Sequence, residues 1–257
     1  MKKKSKQSSF QSNTQTNYSG TQELLDSEEG LARYNHELVT ILSKELDLPQ
    51  SHPKAGVKLF EFGAGTGVLA EIWREKFSIN PICIEIDSNL SNLLRSRGFE
   101  TFSQLEEIPH DIQYLYSSNV LEHIEDDVNA LKQIREKMGK DGIIAFYVPA
   151  LPWLFSGLDT SIGHFRRYTK RELLEKVRSA GFDVQRCYYN DCLGVIASLV
   201  VKFFGYKKKT GFGSKKSLLI YDKYIYSISK ILDKTLFKHV IGKNLLLIAT
   251  NSYSNKN

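Results

Sequence analysis

Residues 61–67, Glu61-Phe62-Gly63-Ala64-Gly65-Thr66-Gly67, join an apolar run at 57–62 to a helical pattern at 68–77. An apolar strand that turns through glycines straight into a helix is the opening of a βαβ unit, and such units build parallel sheets. The glycines let the backbone turn tightly and approach a ligand closely. In the dinucleotide-binding spacing GxGxxG the third glycine would stand at position 68. Val68 stands there, and the third glycine is Gly67, so the spacing is GxGxG, led by Glu61. An acid at the end of the strand suits a cationic ligand better than a pyrophosphate.

The rest of the chain repeats the alternation. Strands are predicted at 57–62, 81–86, 112–117, 143–148, 184–189 and 245–250, and helices at 68–77, 90–96, 127–138 and 170–180. Lys140-Asp141-Gly142 reads as a turn, and Pro149 stops the strand after it. The helix at 170–180 is marked at both ends. Thr169 is its N-cap, Glu172 completes a capping box, and Gly181 sits where a C′ glycine ends a helix. Before the first strand, Leu24, Leu25, Leu31, Tyr34, Leu38, Ile41, Leu42 and Leu46 recur at helical spacing, followed by a break at 49–56. Residues 193–243 interrupt the alternation as an apolar, lysine- and tyrosine-rich helical insertion. The reading is one α/β domain, 23–257, with a mainly parallel sheet, an N-terminal helical cover, and an insertion at 193–243 before the last strand. Residues 1–22, basic and polar, form a disordered tail.

Charge narrows the function. The chain has 257 residues and a net charge of +6. Lys2, Lys3, Lys4 and Lys6, with Lys202, Lys207, Lys208, Lys209, Lys215 and Lys216, lie in two stretches free of acids, so the remainder is −4. Local patches of this kind do not make a general nucleic-acid face, and no Asn/Asp-Pro-Pro-Tyr motif presents a flipped base. Cys83, Cys187 and Cys192 are odd in number and form no CxxC pair, as expected of a reducing compartment. No apolar run reaches the ~20 residues of a spanning helix. The expectation is a soluble, cytoplasmic protein.

Glu85 follows Gly67 by eighteen residues, in Ile84-Glu85-Ile86-Asp87. An acid there accepts hydrogen bonds from both hydroxyls of a ribose, with Asp87 as the alternate acid. Together the two signals describe an adenosine-like ligand bearing a positive, non-phosphate group, a description that S-adenosyl-L-methionine fits. With Asn119-Val120-Leu121-Glu122-His123 after the third predicted strand, the chain resembles a class I S-adenosylmethionine-dependent methyltransferase, similar to those that methylate quinones and small molecules. The resemblance spans roughly residues 30–192 and the final strand. It implies a Rossmann-like, mainly parallel seven-stranded sheet with helices on both faces. It also implies a cofactor site built from Glu61, Gly63, Ala64, Gly65, Thr66, Gly67, Glu85, Ile86 and Asn119. In that site Glu61 holds the cofactor's amino group, the loop backbone lies along the methionine part, and Glu85–Ile86 enclose ribose and adenine. One departure stands out: the acid that often meets the adenine amino group is missing from Thr101-Phe102-Ser103-Gln104-Leu105, leaving Ser103 or Gln104 as a neutral acceptor.

Methyl transfer needs alignment, exclusion of water and at times a base. His123 and His164 are the candidate bases, although Glu122 and His123 read equally well as the cap of the next helix. Arg166 and Arg167 can grip a carboxylate or phosphate, or be a solvated run before the capped helix. Tyr168 and Trp153 complete the candidate acceptor site, and Arg33 is a further candidate for the methionine carboxylate. Some relatives bind a divalent metal where an acid precedes the Glu-His pair by three residues. Asn119 occupies that place here, so no metal is expected. The expected partner is a small-molecule or lipid- or glycan-linked acceptor, with no nucleic acid and a peripheral membrane contact through 193–216 as one role for the insertion. The rival readings are a non-catalytic S-adenosylmethionine-binding protein, a nucleic-acid methyltransferase and a nicotinamide-dependent dehydrogenase.

Overall fold

The computed structural model describes residues 30–48, 57–205 and 214–252. The basic tail, the break at 49–56 and Lys207–Lys209 lie outside the described residues.

The chain runs α1 (Ala32–Glu45), β1 (Leu59–Phe62), α2 (Val68–Phe77), β2 (Ile82–Ile84), α3 (Ser88–Ser96), β3 (Thr101–Phe102), β4 (Ile112–Ser118) and α4 (Asp127–Lys137). It continues with β5 (Met138–Pro149), α5 (Gly157–Ser161), α6 (Lys170–Ser179), β6 (Asp183–Asn190), α7 (Gly194–Phe204), α8 (Lys215–Ile220), a π-turn at Tyr221–Ile225, α9 (Tyr226–Leu232), α10 (Phe237–Val240) and β7 (Asn244–Thr250). The seven strands form one sheet in the order β3-β2-β1-β4-β5-β7-β6. All pairings are parallel except those of β7, which runs antiparallel to β5 and β6. Strand order reverses between β1 and β4, and that is where an open α/β sheet leaves a ligand crevice at its C-terminal edge.

Alternation along the strands divides the core in two. Phe60, Leu115, Phe146 and Leu247 face one side, against Leu131 and Ile134 of α4 and Leu173 and Val177 of α6. Leu59, Tyr116, Ala145, Tyr147, Leu246 and Ile248 face the other, against Leu38, Val39 and Leu42 of α1 and Ile72 and Trp73 of α2. Glu61, two residues after Leu59, therefore points to the α1–α2 face.

The N-terminal cover and the insertion are fastened to each other. Asp222 of the π-turn accepts the backbone N–H groups of Arg33 (3.0 Å) and Tyr34 (2.8 Å) at the start of α1, where helical N–H groups lack partners. Tyr34 and Tyr147 share a hydroxyl–hydroxyl bond of 2.7 Å, and Tyr147 donates to Asn190 Oδ1 at the end of β6 (2.8 Å). Asp191 accepts from Ser229 Oγ (2.9 Å) and from the Tyr221 hydroxyl, while Asp233 accepts the N–H groups of Asp191 and Cys192.

Three local readings differ from the structure. Lys140-Asp141-Gly142 is part of β5, because Asn251 Nδ2 donates to the carbonyls of Met138 (2.8 Å) and Gly139 (3.2 Å) and carries the strand through. The capping box at α6 is half made: Thr169 Oγ1 accepts the Glu172 N–H, but the Glu172 carboxylate pairs with Lys176 at 3.3 Å. A full box occurs instead at Ser156 and Asp159 of α5, an unanticipated helix.

We expect Asp222→Ala to lower unfolding stability by about 1–3 kcal/mol, because it orphans the buried Tyr34 N–H and the partly buried Arg33 N–H. Urea denaturation followed by circular dichroism measures it, and a change within error would mean that apolar packing alone holds α1 to the insertion.

Candidate functional site

The glycine loop is shaped by three left-handed residues, Gly63 (φ +76°), Gly65 (φ +56°) and Gly67 (φ +85°). Space also excludes side chains at two of them. A Cβ on Gly63 would lie 2.3 Å from Val120 Cγ2, and one on Gly67 would lie 2.5 Å from Leu94 Cδ2. The N–H groups of Gly63 and Ala64 both donate to the Ile84 carbonyl, which ties the loop to β2. Ala64 and Thr66 are buried within it.

Glu85 completes the link. Its Oε2 accepts the Gly65 N–H at 2.8 Å and its Oε1 accepts the Asp87 N–H at 2.9 Å. Burial raises its pKa in spite of these bonds. Each carboxylate oxygen keeps a lone pair. Asp87 is committed elsewhere, since its Oδ1 accepts from Asn89 N and Leu90 N and caps α3. The next residue after Glu85, Ile86, is 75% exposed, a large apolar side chain at the lip of the crevice.

Glu61 is buried, and its Oε2 has no hydrogen-bond partner. Burial pushes its pKa up to about 8, the Tyr116 phenol opposes the rise, and the charge of Glu85 adds to it. An orphaned carboxylate oxygen beside a ribose-type acid is what a ligand with an adenosine and an ammonium group would satisfy, so the residues present fit S-adenosylmethionine. Asn119 sits in the left-handed region (φ +53°) at the end of β4, held by its N–H to the Tyr147 carbonyl at 2.8 Å.

A second cluster follows β4. The turn Leu121–His123 buries Glu122 completely, with neither carboxylate oxygen bonded. Burial pushes the Glu122 pKa up to about 8, against the pull of Arg167. The Phe165 N–H donates to the Glu122 carbonyl (2.8 Å), and this brings His164 over the turn. His164 Nε2 lies 3.8 Å from Glu122 Oε1, and the His123 and His164 rings meet edge to face at 4.6 Å. His164 Nδ1 is 2.9 Å from Asp159 Oδ1, which also accepts Arg167 Nε at 2.7 Å. Burial works to raise the pKa of Asp159, but the bonds from His164 and Arg167 hold it down at about 2. Burial and the neighbouring His164 lower the pKa of His123 to about 4, so its imidazole is neutral at pH 7.

The structure thus brings His123, His164 and Arg167 together and gives Arg166 and Tyr168 other partners. Arg166 donates to Asp127 Oδ2 (2.7 Å) and to the Glu125 carbonyl, and the buried Tyr168 hydroxyl also donates to Asp127. Both brace the start of α4. Arg167 faces the cluster and keeps a buried Nη1 without a partner. Trp153 is half exposed, and its carbonyl accepts Lys202 Nζ from α7. Arg33 donates to the Lys223 carbonyl and so reaches toward the insertion. Sequence reasoning placed Glu122 in the Asn119–His123 motif and read it as a cap, and it gave Asp159 no role of its own although Asp159 opens the candidate segment 159–168 that carries His164.

Glu122, His123 and His164 each offer one ligand atom, all within 4.8 Å of one another, a spacing that a divalent ion accepts. They supply one carboxylate, with the Arg167 guanidinium close enough to act on it. A neighbouring cation opposes a second one.

A family model described as a methyltransferase domain matches residues 29–186. No curated protein sequence matches the chain. Among solved structures, one chain of a complex of the Haloferax volcanii Trm112 methyltransferase activator with a candidate methyltransferase has a TM-score of 0.60 at 12% identity, covering 94% of this chain and 100% of that one. A SAM-dependent methyltransferase from Archaeoglobus fulgidus gives 0.51 at 14%, covering 84% and 94%. The geranyl diphosphate C-methyltransferase of Streptomyces coelicolor A3(2), in complex with Mg2+, geranyl diphosphate and S-adenosyl-L-homocysteine, gives 0.54 at 10%, covering 84% and 80%. At these identities the likeness is one of fold.

The buried acids set a pH dependence. Glu61 and Glu122 titrate near 8 in the folded chain and near 4.5 when unfolded. The folded state holds more protons in that window, so the stability tied to these groups is present below about 4.5 and is lost as pH rises through about 8. His123 and Asp159, shifted downward, change the balance only on the acid side. Thermal melts without ligand should therefore fall between pH 6.5 and 8, and Glu61→Gln/Glu122→Gln should flatten that slope. An unchanged slope in the double variant would place its origin elsewhere.

Proposed function

The chain belongs to the methyltransferase domain family, and from that premise we propose that it transfers a methyl group from S-adenosyl-L-methionine to a small-molecule or lipid- or glycan-linked acceptor. The observation that carries the reading is the pair of buried acids: Glu61 with an unbonded oxygen, and Glu85 anchored to the glycine loop.

Bound in the crevice, the cofactor supplies an electrophilic methyl on a sulfonium. Glu61 takes its ammonium group and Glu85 its ribose hydroxyls. Exposed Ile86 covers the adenine, and the left-handed Asn119 closes the crevice from β4. Gly63 and Gly67 let the loop backbone pass directly against Val120 and Leu94, which fixes the turn beside the crevice.

His164 is the base. Asp159 holds its Nδ1 at 2.9 Å, fixing the tautomer that leaves Nε2 to accept a proton, and stabilises the imidazolium that forms. An acceptor hydroxyl or amine loses its proton to Nε2 as it takes the methyl. Neutral His123 packs edge-on against His164 and keeps water from the ring. Arg167 offers its free Nη1 to an anionic group on the acceptor, and Trp153 offers an apolar wall. Burial keeps a proton on Glu122, and Arg167 beside it, with no further acid from Asn119, disfavours a metal there. Cys83, Cys187 and Cys192 are all unpaired, which supports a cytoplasmic location.

The test follows S-adenosylhomocysteine release from S-adenosylmethionine across a panel of phenols, amines, carboxylates and lipid-linked sugars. Release with one acceptor class is expected. His164→Ala should lower it by about 10²–10⁴-fold with cofactor binding unchanged, and EDTA should leave it unaltered. Cofactor binding without release for any acceptor would make the protein a non-catalytic binder. Loss of activity in EDTA, restored by Mn²⁺, would put a cation on Glu122.

A further inference from the structure

The insertion has an unusual surface. Residues 193–243 contain eleven lysines and two acids, a charge of +9 in a chain whose total is +6. Neither acid reaches solvent in any quantity. Asp222 is buried against the N–H groups of Arg33 and Tyr34, and Asp233 against those of Asp191 and Cys192. Lys230 and Lys243 are paired inward, with Glu37 and Asp191, while Lys216, Lys223 and Lys234 are exposed, and the segment has no exposed carboxylate of its own among the described residues.

That same surface is apolar. Of the fifteen exposed large hydrophobic residues among the described residues, twelve lie in this segment. Ile196 and Phe203 stand seven residues apart on one face of α7, 59% and 76% exposed, and Ile228 and Ile231 stand three apart on α9, 54% and 64% exposed. Leu219 and Leu236 of the same segment are exposed as well, 47% and 78%. Scattered exposed apolar residues are ordinary, but twelve in one basic segment are a surface with a partner.

We propose that this lysine-rich apolar face docks on the surface of an anionic phospholipid bilayer. Charge complementarity selects the occupant. Isoleucine, leucine and phenylalanine enter the acyl boundary, while lysine stems follow them and keep their ammonium groups among the phosphates. Lysines near an anionic leaflet are drawn to it, an attraction that salt screens. The protein lies on the bilayer and does not cross it: α7 has 11 residues against the ~20 needed, and no described helix is long and apolar enough to span.

The placement has a consequence. The segment leaves the sheet at the C-terminal end of β6 and re-enters at Asn244, on the edge where the glycine loop and His164 lie. Lys202 of α7 bonds the Trp153 carbonyl beside the candidate acceptor site. Docking brings that edge to the membrane and suits an acceptor held there. The docking proposal itself stands on charge and exposure, independently of methyl transfer.

Co-sedimentation of the full chain with vesicles tests it. One set contains phosphatidylcholine with phosphatidylglycerol, the other phosphatidylcholine alone. The protein should sediment with the anionic vesicles at least about tenfold better, and high salt should weaken this. Ile228→Asp/Ile231→Asp and, separately, Lys216→Glu/Lys234→Glu should each lose sedimentation while keeping the wild-type circular dichroism spectrum. Lys216 and Lys234 are exposed, so the second pair reads out docking even where the first disturbs packing. Sedimentation with neither vesicle, or equally with both, would overturn the proposal. So would a dimer in solution that Ile228→Asp/Ile231→Asp converts to monomer without vesicle binding by the parent, which would assign the face to a second copy of the chain.

Discussion

The carboxylate of Glu85, held between the N–H groups of Gly65 and Asp87, is the contact on which the crevice depends. It joins the turn after β1 to the turn after β2 beside the reversal of strand order. Without it the glycine loop would keep its bonds to the Ile84 carbonyl and its internal Gly67 N–H to Ala64 carbonyl bond, but Gly65, at its centre, would lose its tie to the β2 turn. In the proposed reading the same carboxylate also takes the ribose, so one side chain would set both loop geometry and ligand recognition.

Around that contact the chain accepts energetic costs that packing alone would avoid. Glu61 and Glu122 are buried carboxyls with unbonded oxygens, each uncompensated except by a proton. Isolated buried charge is expensive, and such groups persist where a ligand or a reaction uses them. Asp159 shows the contrast. It is equally buried but fully engaged, by Ser156, His164 and Arg167, and it stays ionised. Large apolar clusters on both faces of the sheet, in which losing one buried leucine costs about 2–5 kcal/mol, supply the stability that makes these departures tolerable.

The parts of this arrangement that were legible in the sequence are those set by local rules. Positive φ at Gly63, Gly65 and Gly67 requires glycine, so the loop shows as a spacing. Val68–Phe77 and Asp127–Lys137 carry the helical period, and Thr169 and Gly181 mark the ends of α6. Distant partners hid the rest. β5 runs through Lys140-Asp141-Gly142 because Asn251, far along the chain, bonds its carbonyls. Arg166 and Tyr168, read from the sequence as candidate acceptor ligands, both bond Asp127, some forty residues upstream. β3 has two half-buried residues and too little length for a period. The burial of Glu122 depends on a loop that returns from residue 165, and nothing adjacent in the chain signals it.

Calorimetric titration of the full chain with S-adenosylhomocysteine, at neutral pH in buffers of differing ionisation enthalpy, tests the central claim most directly. The account predicts micromolar binding with proton release, because an ammonium group placed on Glu61 pulls its pKa down from about 8. It also predicts loss of that release in Glu61→Gln, weaker binding in Glu85→Ala, and no binding of NAD. Absence of S-adenosylhomocysteine binding by the folded chain would contradict it and leave the glycine loop as a turn for some other ligand.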